Sequence, residues 1–175
     1  IFAGFWKAIF QKKNIIKTIW STFTNEAKMY GGLFTTDKRK SFWGQSWELL
    51  SRFTWQLPQT MVGHTYAHIS NHVGQVDNVD YWGGATVMSG NNWGQKAVTL
   101  SSFIIGDRTI SADPNNSVFQ HEYGHYLQSQ SMGWGYLSRI GIPSLMSADG
   151  SGEHKYQPHE QDANARAFLY FNRHV

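Results

Sequence analysis

Residues 121–125 of this 175-residue chain read His-Glu-Tyr-Gly-His, and no other stretch constrains the fold as much. On an α-helix, positions i and i+4 lie one above the other, with Cβ atoms about 5–6 Å apart. Two imidazoles at that spacing can close on one divalent ion at about 2.0–2.1 Å each. Glu122 leaves the helix about 100° further round. There it flanks such an ion rather than binding it, and it can take a proton from a metal-activated water. At the chain's own His and Glu frequencies, about 0.01 accidental matches are expected. The stretch therefore predicts a helix carrying His121 and His125 as ligands of Zn²⁺ and Glu122 as general base.

The flanks suit a helix. Asp113 can cap it and Pro114 fits its first position. From Val118 to Gln130 only Gly124 is a poor helix former, and Gly133 offers a stop. Gly124 costs about 1 kcal/mol relative to Ala in a helix interior. A close backbone neighbour would justify that cost, so a second helix is expected against this point.

A catalytic zinc takes three protein ligands and keeps one position open. After His125 the candidates are Glu153, His154, His159, Glu160 and Asp162. Glu160 is preferred, with His159 as the alternative. Glu160 falls in the first turn of a helix expected from Pro158 to about Asn172. Ala163 at i+3 would let that helix approach the His-Glu-Tyr-Gly-His helix. Asn164 at i+4 shares the face of Glu160 and could bond a ring nitrogen of a ligating histidine. His64, His68 and His72 form a rival i, i+4, i+8 stripe, for which a solvated or polar-packed face is the commoner outcome.

The rest of the chain supplies a scaffold. Residues 1–30 show helical spacing of Phe2, Phe5, Trp6, Ile9, Ile16, Ile19, Trp20 and Phe23, interspersed with lysines. Such a stripe predicts docking on this domain or on a neighbour, and it leaves membrane-surface contact through residues 1–30 open. Gly31-Gly32 ends it. A second helix is expected over 41–57, before Pro58, and the three histidines lie on a third candidate, Gly63 to His72. Val76 to Ser89 and Ala97 to Ile105 read as strands, the latter the clearest. Trp134 to Ile140 reads as a short helical piece ended by Gly141-Ile142-Pro143, with a polar loop from Ser147 to Gln157. The expected fold is α+β: mainly helical, with a small antiparallel sheet just before the metal-binding helix. Residues 1–40 form an N-terminal helix and linker, and residues 41–175 form the main domain.

Composition narrows the function. Hydrophobic residues make up 41% and aromatics 15%, which is globular. There are no cysteines, so thiol nucleophiles and Cys-ligated metals are excluded. A net charge of +3 with scattered Lys and Arg makes no case for nucleic acid. The start at Ile1 leads to the expectation of a processed product or a piece of something larger, without a signal peptide.

His-Glu-Tyr-Gly-His followed by Glu160-Gln161-Asp162-Ala163-Asn164 resembles gluzincin-type zinc metallopeptidases, in which a Glu on a later helix is the third ligand. The second motif is similar to that of ImmA/IrrE-type metallopeptidases. The wider stretch, with QVDNVDYWGGAT, FQHEYGHYLQSQ, YLSRIGIPSL and EQDANARAFLYF, resembles a metallopeptidase-like module at the ends of bacterial RHS/YD-repeat polymorphic-toxin-type proteins. That likeness covers roughly residues 55–175. The resemblance implies a zincin-like fold, hydrolysis of a peptide or protein substrate, and secretion or delivery out of a bacterial cell as part of a larger polypeptide. Where thermolysin-like enzymes carry Asp, this chain has Asn164. His154 and Tyr156 are the candidates for stabilising an oxyanion. The remaining alternatives are a catalytically idle, zinc-stabilised interaction module and a membrane-associating module.

Overall fold

A computed structural model describes residues 15–90, 97–148 and 153–174. Three helices come first: α1 (Ile15–Gly32), α2 (Phe42–Phe53) and α3 (Leu57–His72). Four strands follow, β1 (Val76–Trp82), β2 (Ala85–Gly90), β3 (Ala97–Leu100) and β4 (Phe103–Gly106). Then come α4 (Ser117–Met132), a 3₁₀ turn (Gly133–Gly135), a π-helical turn (Leu137–Gly141), α5 (Ile142–Ser147), a second 3₁₀ turn (His154–Tyr156) and α6 (Pro158–His174). The fold is α+β and mainly helical, as expected.

Two expectations about the sheet fail. Ala97–Ile105 is not one strand but a hairpin, with Ser101 at φ 58° turning β3 back against β4. A buried serine holds this turn where Gly or Asn is usual: the Thr60 hydroxyl donates to Ser101 Oγ at 2.8 Å. The sheet is also mixed rather than antiparallel. Its order is β1-β2-β4-β3, and β2 runs parallel to β4, pairing Thr86 with Phe103 and Ser89 with Gly106. β4 thus lies between β2 and β3, leaving β3 as an edge.

Alternation along the strands builds two cores. Ala85, Val87 and Ile104 face α4 and α6, meeting Phe119, Tyr123, Tyr126, Ala167 and Phe171. Met88, Phe103 and Ile105 face α1 and α3, meeting Met29 and Ala67. The sheet is therefore the middle of three layers.

The first two helices pack the other way round from their apolar patterns. On α1 the buried residues include Thr18, Thr22, Asn25 and Met29, while Ile16, Trp20 and Phe23 face outward. The part of the predicted stripe at residues 1–14 lies outside the described residues. On α2 the buried side chains are Glu48, Ser51 and Arg52, with Phe42, Trp43, Trp47, Leu50 and Phe53 exposed. The helix stops at Phe53, and Pro58 opens α3 rather than closing α2. Among the described residues no helix is long and apolar enough to cross a membrane.

Arg52 explains why the polar face of α2 turns inward. Its Nη1 donates to the carbonyls of Gly32 (3.1 Å) and Leu33 (3.0 Å). Its Nη2 donates to the Gly84 carbonyl (2.6 Å) and the Tyr126 hydroxyl (3.1 Å), and lies 3.5 Å from Glu48 Oε1. One guanidinium thus ties α2 to the end of α1, the β1–β2 turn and α4. Arg52→Ala would take the donor from three carbonyls and one partner from Glu48, which keeps Lys40 at 3.2 Å and the Asp37 N–H, and should cost about 3–5 kcal/mol, or roughly 6–20 °C in melting temperature. Trp43→Ser, on the exposed face, should change stability by no more than about 0.5 kcal/mol. Thermal denaturation of the two variants checks the contrast.

Candidate metal centre

Helix α4 carries two stripes. Phe119, Tyr123 and Tyr126, at i, i+4 and i+7, enter the core. Two positions further on, and so about 200° round the helix, His121, His125 and Gln128 face α6. The helix begins later than the sequence suggests. Asn116, not Asp113, is its cap, with the side chain accepting from Phe119 N at 2.9 Å. Asp113 instead caps a preceding turn, accepting from Asn115 N at 2.9 Å, and Pro114 lies in that turn. Both residue types favour either role; Asn116 sits the right distance before Phe119.

α6 meets α4 at Gly124. A Cβ built there would fall 2.0 Å from the Ala163 carbonyl oxygen and 3.0 Å from its Cα, so the two backbones touch. This is the close helix that Gly124 predicted. The contact places Glu160, one turn before Ala163, opposite the two histidines. Glu160 Oε2 lies 3.0 Å from His121 Nε2 and 3.1 Å from His125 Nε2. One donor atom from each of His121, His125 and Glu160 lies within 4.8 Å of the others, the one such group among the described residues. Ligands about 2.0–2.1 Å from a tetrahedral ion stand about 3.3 Å apart, so small outward shifts would admit one. This donor set suits zinc as well as other divalent metals that accept imidazole.

The histidines are oriented from behind. Asn164 Oδ1 is 2.8 Å from His121 Nδ1, the bond expected from its i+4 position. Gln128 Oε1 is 2.8 Å from His125 Nδ1. Both acceptors hold a proton on Nδ1, so Nε2 of each ring is the atom that faces Glu160. Gln128 in turn donates to the His159 carbonyl (2.7 Å) and Asp162 (2.8 Å) on α6. Sequence reasoning missed Gln128, although its i+3 spacing from His125 was there to be read.

Ser144, Thr99 and Tyr136 were also missed. The π-helical turn runs straight into α5, whose first turn accepts Pro143, so Gly141-Ile142-Pro143 continues the chain helically rather than ending it. This brings the Ser144 hydroxyl to Glu160 Oε1 at 2.5 Å. The Thr99 hydroxyl lies 2.7 Å from Glu122 Oε2, and the Tyr136 hydroxyl donates to the Thr99 carbonyl at 2.9 Å. Thr99 belongs to a hairpin that reads as a single strand, which hid its position. A cavity of about 50 Å³, room for a few waters, is lined by Ala97, Val98 and Thr99 of β3 together with His121, Glu122 and His125.

His154 also lines this cavity, 3.6 Å from Glu160 Oε2, while Tyr156 is exposed and is not part of the lining. His159, the alternative ligand, lies 3.3 Å from Glu160 Oε1 and is not in the three-donor group. The His64, His68 and His72 stripe is not part of it either.

The centre is arranged around positive charge. Burial pulls His121 down, but its hydrogen bond to Glu160, the Glu122 charge and the Asn164 bond together push it up to about 9. Burial works against the Glu160 charge, yet the hydrogen bonds from His121, His125 and Ser144 hold its carboxyl far below the usual range. Burial, then the charges of Glu122 and Glu160, raise the Tyr136 phenol well above its ordinary value. In comparisons with family models, curated proteins and solved structures, nothing matches this chain.

Two outcomes follow for the purified protein. With chelator present, the stabilisation from protonated His121 is complete below its ordinary value of 6.5 and lost as the pH rises through about 9. The melting temperature should fall over that interval, and fall less in His121→Asn. Gly124→Ala should cost about 1–3 kcal/mol by overpacking and should weaken divalent-metal binding, measured by calorimetry, because α6 and Glu160 must move away.

Proposed function

We propose that this chain is a zinc-dependent peptidase, with His121, His125 and Glu160 as ligands and Glu122 as general base. The observation that carries the reading is the convergence of those three donors beside an acid that is not one of them. Zinc held there would supply Lewis acidity and lower the pKa of its water to about 7. Glu122 would accept a proton from a water activated in this way and pass it to the leaving amine. Thr99 holds one oxygen of Glu122 and so fixes the carboxylate for this transfer.

β3 supports an extended peptide as the substrate. It is the edge of the sheet and its residues line the cavity. An extended peptide can add to such an edge through backbone hydrogen bonds. Recognition of this kind reads the main chain more than side chains. Service as a secreted or delivered effector domain of a larger bacterial polypeptide is a proposal that rests on the sequence resemblance alone.

The experiment combines metal analysis with cleavage of a denatured protein mixture. Glu122→Gln should keep its metal and fold and lose about 10²–10⁴-fold in rate. Glu160→Ala should lose metal. Undiminished cleavage by Glu122→Gln would refute the mechanism. Stoichiometric zinc with no cleavage by the wild type over a broad peptide library would favour an idle, zinc-stabilised module.

A further inference from the structure

The histidine stripe on α3 is polar-packed at His64 and His68 and exposed at His72. His64 and His68 turn towards one another, with their Nε2 atoms 2.9 Å apart. Behind His68, the Glu26 carboxylate of α1 bonds Nδ1. Asn71, which donates to Glu26 Oε1 at 2.5 Å and to the Thr22 carbonyl at 3.1 Å, holds that carboxylate in place. Tyr30 covers both rings, with centroids 5.2 Å from His64 and 4.7 Å from His68, and Phe103 meets His64 edge-on. His72 stands outside the pair, its Nδ1 2.7 Å from the His68 carbonyl and 3.4 Å from Glu26 Oε1.

This arrangement has a chemical consequence. A carboxylate on Nδ1 fixes the proton there and leaves His68 Nε2 as a lone pair. That lone pair points at the matching nitrogen of His64. Two imidazole nitrogens on one tetrahedral ion would stand about 3.3 Å apart, a few tenths of an ångström beyond their present separation. The His68 side chain is 14% exposed, so water can complete the coordination.

We propose that His64 and His68, with Glu26 behind His68, form a second binding site for an imidazole-preferring divalent metal such as Zn²⁺. It lies on the α1/α3 face of the sheet, opposite the α4/α6 face that carries His121. Because Glu26 belongs to α1 and the histidines to α3, the carboxylate–imidazole bond behind the ion joins the two helices. The site is independent of peptidase activity.

Calorimetric titration of untagged protein with Zn²⁺ tests it. The wild type should bind two equivalents, His64→Gln/His68→Gln one, and His121→Ala/His125→Ala one. Glu26→Gln should weaken the second site about 10–100-fold. One equivalent in the wild type, lost from His64→Gln/His68→Gln but kept in His121→Ala/His125→Ala, would support this site and overturn the metal centre on α4. Equal stoichiometry in the wild type and His64→Gln/His68→Gln would overturn the second site. Nitrogen-15 resonances of the wild-type imidazoles give a reading that needs no variant: two equivalents of Zn²⁺ should shift Nε2 of His64 and His68, and unmoved signals would refute the site.

Discussion

The contact between Gly124 and Ala163 is the constraint on which the candidate metal centre depends. Helices separated by side chains pack about 8–10 Å apart. Here a missing methyl lets backbone touch backbone, since a Cβ on Gly124 would overlap the Ala163 carbonyl. His121 and His125 straddle Gly124, and Glu160 and Asn164 straddle Ala163. The donors of one helix therefore meet the carboxylate of the other, and Asn164 and Gln128 bridge the same seam. Coordination geometry in this chain is a consequence of helix packing.

α4 must itself be held without filling the site face with apolar groups. Its core stripe supplies the apolar side, with Tyr123 among the Trp82, Phe119 and Phe171 rings. Tyr126 supplies the polar side by reaching the buried Glu48–Arg52 pair. Replacing such a pair by apolar residues is often neutral or stabilising, so the pair is not explained by stability alone. Arg52 satisfies three carbonyls that lie where α1 ends and β1 turns into β2. Those groups need donors once buried, and one guanidinium supplies several. The cost is that α2 must turn its charged face inward.

That inversion marks where sequence reasoning reached its limit. The site on α4 was legible because metal ligation demands fixed residue types at fixed spacing, and Gly124 announced its neighbour. Asn164 was legible for the same reason. Gln128 was overlooked, and Ser144 and Thr99 could not be placed, because each depends on a turn whose signal is weak. A serine at φ 58° makes the β3–β4 hairpin, and a proline in a first helical turn lets Gly141 pass into α5. The parallel pairing of β2 with β4 was likewise hidden, since alternation reports a strand's faces and not its partners. On α1 the apolar stripe predicts docking on this domain or on a neighbour, whereas the side turned inward carries Thr18, Thr22, Asn25 and Met29; on α2 the inward side carries Glu48 and Arg52. Periodicity identifies a helix, but the contacts of particular polar groups decide which side goes in.

The two histidine pairs show how one device takes different roles on opposite faces of a sheet. α3 and α4 each carry imidazoles at i and i+4, and each meets a glutamate from another helix. At α4 the carboxylate arrives on the Nε2 side, where it becomes a third donor, while amide oxygens of Asn164 and Gln128 serve Nδ1. At α3 the carboxylate arrives on Nδ1 of His68, so it strengthens a donor without adding one. At α4 three donors stand beside the Glu122 carboxylate, which is not one of them. At α3 both imidazoles come from one helix and the carboxylate behind them from another. Which nitrogen the glutamate reaches, and therefore which helix delivers it, separates the two.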